Sequence, residues 1–220
     1  MDKLEVGQKI LQANETHAIR NRRLLAAKKL LCYNFISSPG SGKTTLLVKT
    51  INQLKERLRL GVIEGDIQTD IDAERIRATQ APAIQINTDG ACHLSAAQVL
   101  DALGQLPLDE LDGVFIENVG NLVCPGAFEL GEQGKIVVLS VAEGDDKPAK
   151  YPAIFAQAKA VLINKMDYLQ AGVQDDFDVD RAIKDARRLN KQVKIFCISA
   201  KTGEGFDAWC DWLIERREEL

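Results

Sequence analysis

Histidine is almost missing from this chain: His17 and His93 are its two copies in 220 residues. Long apolar runs are missing too. None approaches the roughly 20 residues a membrane-spanning helix needs, and the opening MDKLEVGQKI has no signal-peptide hydrophobic core. Positive charge is not in excess: 28 Lys and Arg stand against 32 Asp and Glu, a net charge of −4. That balance gives no electrostatic footprint for nucleic acid. The cysteines number five, an odd count without the tight spacing of a disulfide framework. No internal repeat or low-complexity segment breaks the chain. These absences argue against a membrane protein, a nucleic-acid binder and a disulfide-stapled secreted domain. The chain reads as cytoplasmic, with cysteines serving as thiols, ligands or core residues.

What is present suits one compact domain able to bury a sizeable core. Residues 1–30 read as a helical arm with apolar points at Leu4, Ile10, Leu11, Leu24 and Leu25, ready to pack on the domain or on a partner. Residues 31–220 form the domain proper, where strands and helices alternate. Strands are expected at Cys32–Ser37, Leu60–Gly65, Ala83–Asn87, Gly113–Glu117, Lys135–Val141, Ala160–Asn164 and Val193–Ser199. Helices are expected at Lys43–Leu58, around Asp70–Ala78, from about Leu94 to Leu103, and at Val179–Leu189 and Phe206–Glu218. Several strands are continuous apolar runs, as in strands buried on both faces. The fold class is therefore α/β, a mostly parallel sheet covered by helices on both faces plus the N-terminal helical arm, and the glycine-rich SSPGSGKTT turn between its first strand and helix makes it a P-loop NTPase (G domain).

The first strand-to-helix turn is SSPGSGKTT, residues 37–45. Within the loop Pro39–Thr45, consecutive backbone N–H groups around Gly40, Ser41, Gly42 and Lys43 can wrap a β-phosphate at the positive end of the next helix. Lys43 would bridge the β- and γ-phosphates and Thr44 would place its hydroxyl on Mg²⁺. Ser37 stands where the strict motif has glycine. Guanine is the expected base. NKMD follows a late strand, and Asp167 there can accept from guanine N1–H and the 2-amino group, neither of which adenine offers. Asn164 and Lys165 would brace that loop, and Ser199, Ala200 and Lys201 could offer backbone N–H groups to guanine O6. Acids end two strands: Asp66 and Glu117 are the first candidates for Mg²⁺, with Glu64 third. Gly120, three residues after Glu117, resembles the glycine of a γ-phosphate switch. No glutamine or arginine suited to hydrolysis stands out, so slow, switch-like turnover of GTP to GDP and phosphate is expected.

DGACHLS, residues 89–95, sets Cys92 beside His93, and Cys124 lies four residues past Gly120. In a parallel sheet these loops gather at one carboxyl edge. Two thiolates and an imidazole suit Zn²⁺ or Ni²⁺, with water or a second protomer completing the shell. The alternative is a buried thiol beside a satisfied histidine. Cys32, Cys197 and Cys210 are expected in the core and His17 on the surface.

SSPGSGKTT, EGDIQTDIDAERI, the Cys92–His93 pair, ENVGNLVCP, EGDDKPAKYP and NKMD together resemble the hydrogenase nickel-incorporation GTPases (HypB family), relatives of the urease accessory GTPases. The resemblance runs from about residue 34 to 203. It implies weak GTPase activity with Mg²⁺ supporting nickel delivery to [NiFe]-hydrogenase. It implies Ni²⁺ or Zn²⁺ at Cys92, His93 and Cys124, often at a nucleotide-linked homodimer interface. The implied partners are an accessory nickel-insertion protein and the hydrogenase large subunit, with no nucleic acid and no membrane. Lys147 is a candidate to reach nucleotide across the dimer. Residues 1–30 hold neither the cysteine motif nor the histidine-rich tract of some members. The rivals are a urease accessory GTPase and a signalling or assembly GTPase with a structural zinc site.

Overall fold

The computed structural model describes residues 3–66 and 71–220. The side chains of Leu4 and Ile10, and residues 67–70 of EGDIQTDIDAERI, lie outside that description. In chain order the elements are α1 (Lys3–Ala27), β1 (Leu31–Ser37), α2 (Lys43–Leu54), β2 (Leu60–Asp66), α3 (Ile71–Arg77), β3 (Ala83–Asn87), α4 (Ala96–Leu103), β4 (Gly113–Glu117), α5 (Cys124–Ala127) and β5 (Gly134–Ser140). They continue with α6 (Lys147–Lys150), α7 (Pro152–Gln157), β6 (Ala158–Asn164), α8 (Met166–Gln170), α9 (Val179–Leu189), β7 (Lys194–Cys197) and α10 (Phe206–Glu218).

The strands form one sheet in the order β3-β2-β4-β1-β5-β6-β7. Each described pairing is parallel. Strand β1 is buried along its whole length, so its sequence does not alternate apolar with polar. The period of two survives in where its side chains go. Leu31, Tyr33 and Phe35 join the core under α2 and α10. Cys32 joins the opposite core with α1 and α4, and Ile36 the core beneath α7 and α9. Trp209 and Trp212 of α10 stack on each other, and the Trp209 indole N–H donates to Thr50 Oγ1 of α2 at 3.1 Å. Because β1 sits between β4 and β5, the chain leaves it toward β2 on one side and later returns on the other. Loops at the carboxyl ends diverge there and open a crevice.

Several ends differ from expectation, each for a local reason. Helix α2 stops at Leu54, not Leu58, because the chain turns to place Leu60 beside Gly113. Leu58 still reaches the core through that turn. Helix α4 starts at Ala96 because Ser95 caps it: its hydroxyl accepts from Gln98 N–H, and Gln98 Oε1 accepts from Ser95 N–H. Strand β5 ends at Ser140, whose hydroxyl caps a single 3₁₀ turn over Val141–Glu143. Strand β7 ends at Cys197, and Ser199 N–H then turns to Glu204 O at 3.0 Å. Helices of four to six residues, such as α5 and α6, carry too few positions for periodicity to reveal them.

Helix α1 packs on α4 through two asparagines. Asn14 accepts from Ala96 N–H at 2.8 Å and donates to Glu129 O at 2.7 Å. Asn21 donates to Ala96 O and Leu130 O, both at 2.8 Å. Gly131 closes the contact with φ +95°; a Cβ there would lie 2.5 Å from Asn21 Cβ and 2.6 Å from Ala18 O. Asn21→Ala leaves two buried carbonyls without their donor and should lower unfolding stability by about 2–3 kcal/mol, read from urea denaturation; Gly131→Ala should destabilise as well, through clash and backbone strain.

Candidate functional site

The carboxyl edge of the sheet carries two adjoining sites. The first is a cavity of about 520 Å³ formed by the phosphate loop, the ends of β2 and β4, and α3. Gly40 and Gly42 have φ of +75° and +88°, which turns successive N–H groups inward. Gly42 is also pressed from outside: a Cβ there would stand 2.7 Å from Asn164 Nδ2. Ser37, in the position where glycine was expected, is the last residue of β1 and has no positive φ. Its place in the strand removes the need for glycine. The Ser41 hydroxyl is buried with no hydrogen-bond partner among the described residues.

Glu117 is buried at the end of β4, where Oε1 accepts the Thr44 hydroxyl at 2.7 Å and lies 3.7 Å from Lys43 Nζ. Burial pushes its carboxyl up, against the opposing pull of Lys43 and Thr44. Glu64 stands directly opposite on β2. Burial, together with Glu117 and Asp66, raises Glu64 to about 8. Glu64 Oε2 and Glu117 Oε2 have no hydrogen-bond partner among the described residues. Asp66 lines the same cavity, and Gly120 backs onto Pro39. Crowded carboxylates beside a threonine hydroxyl fit a hard divalent cation such as Mg²⁺.

The base-loop residues are interlocked with this cradle. Asn164 is buried; its amide donates to Ser41 O at 2.9 Å and its carbonyl accepts from Ala200 N–H at 3.0 Å. Lys165 has φ +66° and its Nζ donates to Gly40 O at 2.7 Å. Asp167 accepts the Ser199 hydroxyl at 2.7 Å. Lys165, Asp167, Tyr168, Ala200 and Lys201 line a small pocket beside Thr45. Lys147 opens α6 with its ammonium 5.4 Å above the Tyr151 ring.

The second site gathers Cys92, His93 and Cys124, whose ligand atoms all lie within 4.8 Å of one another. Cys92 Sγ is 3.5 Å from His93 Nδ1. His93 stacks on Phe128 with ring centroids 3.8 Å apart, and burial lowers its pKa toward the neutral imidazole a metal requires. The hydrogen bond to Cys124, with burial, raises the Cys92 thiol. Asn121 Oδ1 accepts from the N–H groups of Val123 and Cys124, which sets the start of α5.

Asn118 joins the two sites. It follows Glu117 directly; its Oδ1 accepts from Leu94 N–H at 3.2 Å and Val119 N–H at 3.0 Å. Its amide donates to Asn34 Oδ1 at 3.2 Å. Sequence reasoning missed Asn118, Phe128 and Arg75. ENVG held the signal for Asn118, a carboxamide between two marked positions. Arg75 was marked only by its place in DAER, three residues after Asp72. Two other residues depart from expectation. His17 is half-buried, with Nδ1 enclosed and without a hydrogen-bond partner among the described residues. Cys197 is half-buried against the third core cluster, while Cys32 and Cys210 are buried. Strand β7 is the sheet edge, so its side chains are covered less completely.

A sequence profile of the CobW/HypB/UreG nucleotide-binding domain matches residues 32–197. The chain belongs to the CobW/HypB/UreG family. It is 53% identical over 214 residues to the hydrogenase maturation factor HypB of Escherichia coli K12, covering 97% of this chain and 73% of that protein. The hydrogenase/urease maturation factor HypB of Helicobacter pylori is 39% identical over 98% of this chain and 89% of that one. The crystal structure of HypB from Helicobacter pylori in complex with nickel superposes with a TM-score of 0.87 at 38% identity, covering 94% of this chain and 96% of that one. HypB from Archaeoglobus fulgidus gives 0.86 at 36%, covering 94% and 100%.

The acidic pocket makes a pH test available. Glu64 binds its proton more tightly in the folded chain, at about 8, than at its ordinary 4.5. Its contribution to stability is thus complete below pH about 4.5 and is lost as pH rises through about 8. Without nucleotide and with chelator present, wild type should lose about 3 kcal/mol more than Glu64→Gln between pH about 5.5 and about 8.5, read from thermal unfolding.

Proposed function

We propose that this chain is a GTP-binding and GTP-hydrolysing nickel metallochaperone of [NiFe]-hydrogenase maturation, in which nucleotide state gates the Cys92/His93/Cys124 site. The observation that carries the proposal is the Asn118 carboxamide, which ties the residue after Glu117 to the residue after His93. The sequence kinship with HypB proteins, and a neighbour crystallised with nickel, support the same reading. The urease variant draws support from the Helicobacter pylori relative, whose name covers both enzymes.

In this reading Pro39–Thr45 bind the phosphates and Lys43 neutralises the β,γ side. Thr44, Asp66 and Glu117 are the residues that would hold Mg²⁺, whose charge offsets that of the phosphates. Asp167 selects guanine, with Asn164, Lys165 and the Ser199–Lys201 loop setting its position. Gly120 senses the γ-phosphate. A shift of 117–120 pulls Asn118, and with it Leu94 and the Cys92–His93 pair, relative to Cys124. Nickel, or Zn²⁺ in its place, is then held in one nucleotide state and released in the other to an accessory nickel-insertion protein and the hydrogenase large subunit. Three protein ligands leave coordination positions that a second protomer fills in a homodimer formed with nucleotide or metal. The coupling is reciprocal: any factor by which GTP changes metal affinity is the factor by which metal changes GTP affinity.

Nickel titration without nucleotide, with GDP and with a non-hydrolysable GTP analogue tests this directly. Affinity should differ at least about tenfold between GDP and analogue, and Cys92→Ala and Cys124→Ala should each abolish the site. Equal affinity in both nucleotide states defeats the gating mechanism. Asp167→Asn should move preference from GTP to XTP by at least about tenfold, because an amide donates where the carboxylate accepted; competition binding reads that shift, and unchanged GTP preference removes Asp167 from the base pocket.

A further inference from the structure

The cycle above leaves Arg75 without a role, although it lines the phosphate cavity with Lys43, Thr44, Glu117 and Gly120. Its guanidinium donates to Thr45 Oγ1 at 2.8 Å and to Asp72 Oδ1 at 3.1 Å. Thr45 follows the motif Lys-Thr pair, so the guanidinium rests at the rim of the phosphate loop. Its charge reaches the buried Glu117 carboxylate, whose pKa it helps to lower. The Arg75 side chain is 44% exposed. It can therefore leave Thr45 without unpacking any core. Asp72, one turn earlier on α3, gives it a second anchor that such a swing need not break.

We propose that Arg75 is an arginine supplied in cis to the γ-phosphoryl group of GTP. It exchanges the Thr45 hydroxyl for γ-phosphate oxygens when nucleotide binds. In the transfer, a water oxygen bonds to the γ-phosphorus as the bond from that phosphorus to the bridging oxygen breaks. The electron pair stays on the β-phosphate of GDP, and the proton shed by water passes to phosphate and solvent. Charge spreads over the γ-oxygens while this happens, and a planar fork of N–H donors stabilises it. Lysine offers one point charge and cannot reproduce the fork. This inference rests on the GTPase reading of the same cavity.

The test compares wild type, Arg75→Ala and Arg75→Lys in single-turnover GTP hydrolysis with Mg²⁺. Alongside, fluorescent GDP binding is measured with and without aluminium fluoride, which with GDP imitates the transferring phosphoryl group. The expected result is a loss of about 100-fold in hydrolysis for both variants, loss of the tightening by aluminium fluoride, and GDP affinity within about threefold of wild type. Should Arg75→Ala not fold, Arg75→Lys decides by the same measurements. Wild-type hydrolysis in the variants overturns the inference and leaves the proposed function standing. So does equal weakening of GDP and GTP with unchanged hydrolysis at saturation, which makes Arg75 a brace for Thr45. A wild-type chain that binds no GTP overturns the proposed function and this inference together.

Discussion

The Asn164 carboxamide is the bond on which the carboxyl edge depends. It is fully enclosed, and it touches the phosphate loop at Ser41 and the last loop at Ala200 while lying in the base-loop motif itself. Removing it would leave a buried carbonyl and a buried N–H without partners, each costing about 1–3 kcal/mol. The arrangement explains why Gly42 has no side chain: any Cβ would enter the space of this amide. The phosphate loop, the NKMD loop and the last loop are thereby held together by one side chain. Asn118 repeats the device on the other side of the edge, between phosphate and thiols. Asn34 continues it inward, donating to Glu132 at 3.3 Å, and Glu132 in turn accepts from Leu130 N–H. Buried carboxamides are costly unless satisfied on both ends, so a chain of them fixes distances more strictly than apolar packing does.

Charge is handled differently. Glu64, Glu117 and Asp66 crowd together at the strand ends, and burial raises the two glutamates. Lys43 offsets part of that cost at both glutamates, and the Thr44 hydroxyl adds to the offset at Glu117. The pocket thus holds an electrostatically unfavourable cluster of carboxyls, which a divalent cation would relieve. This is a common way for a fold to keep a site ready at some expense of stability. The thiol site uses the same logic in milder form, with a neutral histidine held flat on Phe128.

Much of this was legible in the sequence because the signals are local. Buried strands such as VLIN and GVFIE are apolar from end to end, and the phosphate loop fits its strand–turn–helix context, so sheet, loop and P-loop class follow from pattern alone. Cys92, His93 and Cys124 were legible as a set through topology, since a shared carboxyl edge brings loops of distant sequence together, and through the family resemblance. The rest was not legible because it depends on long-range contacts. Nothing near Asn14 or Asn21 announces Ala96 or Leu130 as partners. Arg75 points to Thr45, 30 residues earlier, and no short-range pattern encodes that. His17 is half-buried rather than on the surface, as its neighbour Ala18 packs into the core shared by α1 and α4.

The asparagine clamp of α1 bears on how the chain is made. Asn14 and its partner Glu129 are separated by 115 residues, and Asn21 and Leu130 by 109. During synthesis α1 emerges ahead of the rest of the domain, and Ala18 and Leu25, which end up in the core, have no cover until α4 and then the segment around Leu130 arrive. Strand β1 waits in the same way for β4 and β5, both its neighbours in the sheet. Contacts this distant slow folding, because the intervening chain must be ordered before they form. The loop bearing Cys92 and His93 is braced only once more than half the chain has left the ribosome. The phosphate loop waits longer still, for Asn164 and, through it, Ala200.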